Sequence, residues 1–250
     1  MRYRTRIAIL IGFIVLFLAA APLVVLYTAG YRWNGKKLRP EKVGIIFVRS
    51  KPGNADIYLD GAKRRETTPA RLRDLLPDAY ELTIAKEGYS SWSKSLPVES
   101  GLTTFAEGVV LWKEGPPEEI DSPPAQALTS DELSSLDRAD PLASETGGTV
   151  FKSDGFEIWT ENPDGGNHDT VTRLSEEIRA VAPYTDTGWI IYETAGEIRA
   201  VERDDRDVRN DDLLASGDDL HGLAISSDGK TLYYLSGEGK GQTLWKKELQ

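Results

Sequence analysis

The chain has 250 residues, no cysteine and a formal net charge of −10. Without cysteine it forms no disulfide, no thiolate metal site and no cysteine nucleophile. The charge is uneven, +8 over residues 1–50, −1 over 51–112 and −17 over 113–250, so the distal part repels nucleic acid and no nucleic-acid partner is expected.

The first element is "IAILIGFIVLFLAAAPLVVLY", Ile7 to Tyr27, apolar throughout and uncharged. About 20 helical residues rising about 1.5 Å each cross a hydrocarbon core of about 30 Å. The competing reading is a cleaved signal peptide, whose apolar region runs about 7–15 residues. This one is longer, and its small-residue site, Ala19 to Ala21, is followed by Pro22. Residues 1–30 are therefore read as an uncleaved single-pass anchor in the cell membrane. Arg2, Arg4 and Arg6 precede the span, and Arg32, Lys36, Lys37, Arg39 and Lys42 follow it. A bare count places the C-terminal side in the cytoplasm. Long domains translocate largely regardless of charge, however, and an Arg-rich start matches an export signal. The expected topology is N-terminus cytoplasmic and bulk extracytoplasmic.

Residues 31–112 form the second region, and from Val43 its period is two. "VGIIFV" reads as a strand buried on both faces. In "ADIYLD", Ala55, Ile57 and Leu59 alternate with Asp56, Tyr58 and Asp60, and "YELTIA" repeats the pattern. "SSWSKSLPV" and "TTFAEGVVLW" bring the expected strands to five, separated by Pro52-Gly53-Asn54, Asp60-Gly61, Pro77-Asp78 and Glu87-Gly88. Such punctuation predicts a small antiparallel sandwich.

Residues 113–147 are rich in Pro, Ser and acid and read as a linker, with one short helix at "SDELSSLDR" capped by Ser130. Strands return in residues 148–250, with a repeat. Ile178, Ala182, Asp186, Ile190 and Tyr192 align with Leu220, Ala224, Asp228, Leu232 and Tyr234 at an offset of 42. An earlier half-unit aligns Gly155 with Gly196 at an offset of 41. That spacing fits four-stranded propeller blades of about 40–45 residues.

The 43–112 stretch resembles a PEGA domain. The resemblance rests on Ser50-Lys51-Pro52-Gly53-Asn54-Ala55, "IYLDG" ending at Gly61, Thr68-Pro69, "LLPDAY", Gly88-Tyr89 and Trp92. Pro52 and Ala55 match the ends of the name-giving Pro-Glu-Gly-Ala, and "DA" stands where Gly usually precedes the Tyr. The resemblance implies a β-sandwich of bacterial and archaeal envelope proteins, generally without enzymatic activity. "YTAGYRWNGKK" is similar to the juxtamembrane stretch of membrane-anchored PEGA proteins. The distal part resembles TolB-like or WD-like blades, through "IWTENPDGGNHDTVTRLS" and "ISSDGKTLYYLS" with its Asp228-Gly229 turn. Closed propellers need about 4–8 blades. The two to three repeats here imply a truncated propeller, blades shared between chains, or a small open sheet.

Bland and sharp readings compete at several sites. Asp56 and Asp60 share a face, but a calcium loop needs more oxygen ligands, so "KPGNADIYLDG" reads as a hairpin. "NPDGGNHD", with Asp164, Asn167 and Asp169, is the better metal candidate and is also explained as a hairpin. "ERDDRDVRNDD", Glu202 to Asp212, reads as a solvated loop. His168 and His221 lie in no catalytic motif. Lys63, Arg64, Arg65, Arg71 and Arg73 fall within eleven residues. They read either as a solvated loop or, through Arg64, Arg65 and Arg71, as a contact for anionic headgroups or wall polymer. Tyr89 and Trp92 read either as an exposed platform for glycan or peptide or as packing.

The combined reading is a mainly β protein: an N-terminal transmembrane helix, a PEGA-like sandwich and incomplete propeller-like repeats. The expected function is non-enzymatic binding or scaffolding of wall polymer or envelope proteins, with no cofactor and no metal. The alternatives are a carbohydrate-active enzyme using undetected carboxylates, and a signalling protein with cytoplasmic domains.

Overall fold

The structure is a computed structural model. It describes residues 3–121, 143–146, 149–162, 164–184, 187–237 and 242–250. The expected Ser130 helix, Asp186 of the repeat and Pro163 of "NPDGGNHD" lie outside the described residues.

Helix α1 runs Tyr3–Thr28, with Pro22 inside it, and its Ile9–Thr28 portion is long and apolar enough to cross a bilayer. Its large apolar side chains are exposed, from Ile9 to Tyr27. The helix ends where Gly30 takes φ 83° and donates to Tyr27 O, a left-handed residue at its C-terminus that a glycine adopts without strain. Strands β1 (Tyr31–Asn34) and β2 (Arg39–Lys42) follow as a hairpin in register Tyr31↔Lys42 and Trp33↔Pro40. The Asn34 side-chain oxygen accepts the Lys36 and Lys37 amides at 2.9 and 3.1 Å, and so fixes the turn.

Seven strands then stand where the apolar alternation predicts five: β3 (Gly44–Lys51), β4 (Asp56–Leu59), β5 (Ala62–Thr67), β6 (Ala70–Leu75), β7 (Asp78–Ala85), β8 (Trp92–Val98) and β9 (Thr103–Val110). The additional pair, β5 and β6, holds Lys63 to Arg73, so these residues form strands, not a loop. β5, "AKRRET", buries none of its residues and therefore shows no apolar alternation. β6, "ARLRDL", buries Ala70, Leu72 and Leu75 and turns Arg71 and Arg73 outward. The sheets are antiparallel in order β6-β3-β9 and β5-β4-β7-β8.

Among the described residues of the distal region there are three four-stranded sheets. The first is β11 (Ala143–Thr146), β12 (Thr149–Ser153), β13 (Glu157–Glu161) and β14 (Asp169–Arg173). The second is β15 (Ala180–Tyr184), β16 (Trp189–Glu193), β17 (Glu197–Glu202) and β18 (Asp211–Ser216). The third is β19 (Leu220–Ile225), β20 (Thr231–Ser236) and β21 (Thr243–Glu248), completed by β10 (Glu118–Ile120) on β21. No sheet closes into a propeller among the described residues. Two pieces of the acidic 113–147 stretch are thus strands, and Ile120 of β10 packs on Ala224 and Tyr233. The repeat itself is physical. The strands β13 and β17 carry bulges at Ile158/Trp159 and Ile198/Arg199. Their spacing is 40 residues, which corrects the expected 41. Between the first two sheets Phe151, Ile158, Val171, Ile178, Val181, Ile190, Tyr192 and Val201 form a buried cluster.

The chain divides into two compact units. One is Met1–Val48, Ala70–Tyr80 and Leu96–Ala106; the other is Arg49–Pro69, Glu81–Ser95 and Glu107–Gln250. In the second unit Trp112, Tyr184 and Trp189 form an edge-to-face cluster, with ring centroids 4.8 and 5.4 Å from Trp112. Trp189 Nε1 donates to Gly108 O at 2.7 Å, and a Cβ on Gly108 would lie 2.5 Å from Thr187 O. Only glycine lets these backbones approach so closely.

Candidate functional site

The PEGA-type motif residues converge on Thr68. Its hydroxyl shares a 2.6 Å hydrogen bond with Ser50 and accepts the Ala55 amide at 3.0 Å; its carbonyl accepts the Asn54 amide at 2.8 Å. Ser50 also donates to Pro52 O at 2.8 Å, so Ser50, Pro52, Ala55 and Thr68 form one closed polar knot, and Pro69 follows through a cis bond. Asp60 (φ 50°) and Gly61 (φ 74°) reverse β4 into β5, and Asp60 Oδ1 accepts the Glu81 amide. Gly88, at φ 78°, makes the turn before Tyr89. "KPGNADIYLDG" is therefore a structural hairpin whose acids are engaged in holding it together. Asp228 plays the same part at Gly229, where its carboxylate accepts the Lys230 amide and the Ser226 hydroxyl.

The five candidate contact residues are placed differently. Arg64 and Arg65 lie on β5 at the edge of its sheet, Arg64 half-buried and Arg65 exposed. Neither has an ion pair among the described residues. Their neighbour Lys63 is engaged with Asp56 at 2.6 Å, and that carboxylate holds its ammonium above the ordinary value. Arg71 is exposed in the other unit, its guanidinium 5.7 Å from the Phe47 ring. Tyr89 is half-buried, with Lys86 Nζ 5.9 Å from its ring. Trp92 is only 3 % exposed, which corrects the exposed-platform reading. Its indole N–H donates to Glu202 Oε2 at 2.9 Å, and an indole committed in this way is not a surface platform.

Glu202 is the centre of a polar lock that the sequence reading missed. Besides Trp92 it takes the Lys94 ammonium, which is wholly buried, and the Asn210 amide and side chain at 2.9 and 2.8 Å. Asp204 O accepts a second Lys94 bond, Asp207 accepts the Ser95 amide at 2.8 Å, and Asn210 Nδ2 donates to Ser93 O at 3.2 Å. The stretch 202–210 is thus tied to β8 through Glu202, Asp204, Asp207 and Asn210, which corrects its reading as a wholly solvated loop, while Asp205 to Val208 stay exposed. The signal was present in "WSKSLPV". Alternation puts Lys94 in phase with Trp92 and Leu96, and an inward lysine demands a buried acid.

Two carboxyls are displaced upward. Glu193, 1 % exposed, is pushed up to about 8 by burial, Arg179 opposing and Asp219 reinforcing, and its Oε2 has no hydrogen-bond partner. Asp212 is pushed up to about 6, chiefly by burial. A cavity of about 520 Å³ is lined by Tyr192, Glu197, Arg199 and Asp211 among others, and one of about 320 Å³ by Asn167, His168, Asp169 and Arg203 among others. Glu193 lines neither. In the first cavity Asp211 is held by Tyr192 and Arg199, and Arg199 also bonds Glu197. In the second, His168 stacks on Trp159 at 5.2 Å, Asn167 takes φ 56°, and the nearby Asp164 is turned to the Gly166 amide. His221 Nδ1 lies 2.9 Å from Asp219 O.

Residues 43–109 match the family model of the PEGA domain. A search of curated proteins finds no match. Among solved structures the chain is similar to the AfRom2 CNH domain, at 12 % identity and a TM-score of 0.31, over 74 % of this chain and 69 % of that one. It is also similar to a protein described as a 6-phosphogluconolactonase from Bacteroides uniformis ATCC 8492, at 14 % identity and a TM-score of 0.27, over 86 % and 76 % of the two chains. Neither score supports a shared fold.

Proposed function

We propose that this chain is a membrane-anchored, non-catalytic module of the cell envelope whose β5 edge binds an anionic wall polymer. Helix α1 is the anchor and the segment that follows it is extracytoplasmic. The propeller-like sheets scaffold envelope proteins. The observation that carries the reading is the pair Arg64 and Arg65. They sit on an edge strand with no acidic partner among the described residues, inside the PEGA-matching segment. Arginine presents a planar fork of donors that suits phosphate and carboxylate groups. One exposed and one half-buried cation make a modest, salt-sensitive site, which suits a polymer that offers many anions in series.

The test is co-sedimentation of the full chain in detergent with isolated wall polymer at low and physiological salt. Retention that falls with salt, and falls again in Arg64→Ser/Arg65→Ser, is the expected result. Retention indifferent to both rejects the site. Protease shaving of whole cells checks the topology: loss of the distal region is expected, and its protection supports the cytoplasmic signalling reading.

A further inference from the structure

The hairpin β1–β2 is amphipathic across its two faces. Tyr31 and Trp33 point the same way, and their cross-strand partners are Lys42 and Pro40. All four are exposed, Trp33 by 65 %. Leu38, at the turn, is 74 % exposed in a left-handed conformation, φ 50°. The opposite face is closed. Asn34 and Glu41 are buried and share a 2.7 Å hydrogen bond, and Arg39 and Asn34 pull the Glu41 carboxyl down to about 2. Two ion pairs fix the hairpin within its unit, Arg32 to Asp74 at 2.7 Å and Lys36 to Asp78 at 2.9 Å. The hairpin therefore holds an aromatic, apolar face outward, with the Lys42 side chain at its edge lying against Gly101. The same element is cationic: Lys37 and Arg39 share the single carboxylate of Glu41, and Lys42 has no ion pair among the described residues.

Its place in the chain decides what covers that face. Tyr31 follows Thr28, the last residue of α1, by three residues, a reach of at most about 11 Å. The interfacial layer outside the hydrocarbon core is about 5–8 Å deep. Tryptophan and tyrosine partition into that layer, and lysine is attracted to its anionic headgroups. We infer that the Tyr31–Trp33–Pro40–Lys42 face of the hairpin, with Leu38, is a lipid-binding site that lies in the headgroup layer of an anionic bilayer. This rests on the reading of α1 as a membrane anchor. It goes further in giving the chain a second bilayer contact, which fixes the orientation of the first unit against the surface where a helix alone would leave it swivelling.

The absence of cysteine makes the test direct. Single nitroxide labels are placed through Leu38→Cys, Pro40→Cys, Phe17→Cys and Val208→Cys in the full chain. Each variant is reconstituted into phosphatidylcholine vesicles with and without phosphatidylglycerol. Collision with dissolved oxygen is compared with collision with a water-soluble nickel chelate. At positions 38 and 40 oxygen is expected to dominate, less strongly than at 17 and opposite to 208, and the preference weakens when phosphatidylglycerol is left out. Nickel access at 38 and 40 equal to that at 208, with position 17 still shielded, overturns the hairpin site and leaves the anchor standing. Nickel access at 17 as well overturns both. An unchanged depth at 38 and 40 without the anionic lipid overturns the headgroup attraction.

Discussion

Two dense runs of charge, Lys63 to Arg65 and Glu202 to Asp212, look alike in the sequence and behave oppositely in the fold. The first lies on an edge strand with no residue buried. The second is bonded to β8 through Glu202, Asp204, Asp207 and Asn210. Charge density says nothing about solvation by itself. What decides is whether partners lie across the contact, and for the second run they lie about 110 positions back along the chain, at Trp92 and Lys94. In the first run only Lys63 is paired, with its neighbour Asp56; Arg64 and Arg65 are left to bind, whereas a locked run is part of the architecture.

Breaking the lock has the largest expected effect. Lys94→Met leaves Glu202 as an uncompensated buried charge and is expected to cost about 3–5 kcal/mol, read by urea unfolding followed by tryptophan fluorescence. Gly108→Ala drives a methyl to 2.5 Å from Thr187 O and is expected to cost about 1–3 kcal/mol, seen as a lower urea midpoint with unchanged slope.

Glu193 sharpens the comparison through pH. Its folded carboxyl titrates near 8, above the ordinary 4.5, so between those values the native state holds a proton the unfolded chain has released. Its contribution to stability is full below about 4.5 and is lost as pH rises through about 8. Glu193→Gln removes this slope, and urea midpoints measured across that window are expected to flatten. An equally steep dependence in the variant contradicts the assignment. The smallest effect is expected at the bare strand: Arg64→Ser/Arg65→Ser shifts stability by no more than about 0.5 kcal/mol while reducing retention on wall polymer.

The sequence made some of this fold legible and left the rest hidden, for physical reasons. Apolar alternation marked β4, β7 and β8 because each buries one face. β3, read as buried on both faces, fully buries only Gly44, Ile46, Val48 and Ser50, and β9 was marked by its apolar run, whose Val109 and Val110 are both buried. The reading missed β5, which buries neither face, β6, whose Ala70, Leu72 and Leu75 are buried between arginines that read as part of a basic run, and β10, whose three residues, Glu118–Ile120, are too short for a period. The Asp60-Gly61 reversal was readable because turns are encoded in neighbouring residues, whereas Thr68 was marked only by the family resemblance, since its bonds to Ser50 and Ala55 span 18 and 13 positions. Trp92 was ambiguous, since an indole suits both a platform and a buried bond, and Glu202 was unreadable without knowing what faces it. The basic strand was readable as composition, but its bareness came only from the structure.

The most direct measurement is amide hydrogen exchange on the full chain in detergent. The amides of Glu202 and Arg203, which bond Asn210 O at 3.0 Å and Gly188 O at 2.9 Å, are expected to exchange near the rate of global unfolding. The amides of Arg64 to Glu66 are expected to exchange orders of magnitude faster and to slow when anionic wall polymer is added. Fast exchange at 202–203, or protection of 64–66 before any polymer is present, would contradict the division into a locked run and a bare one.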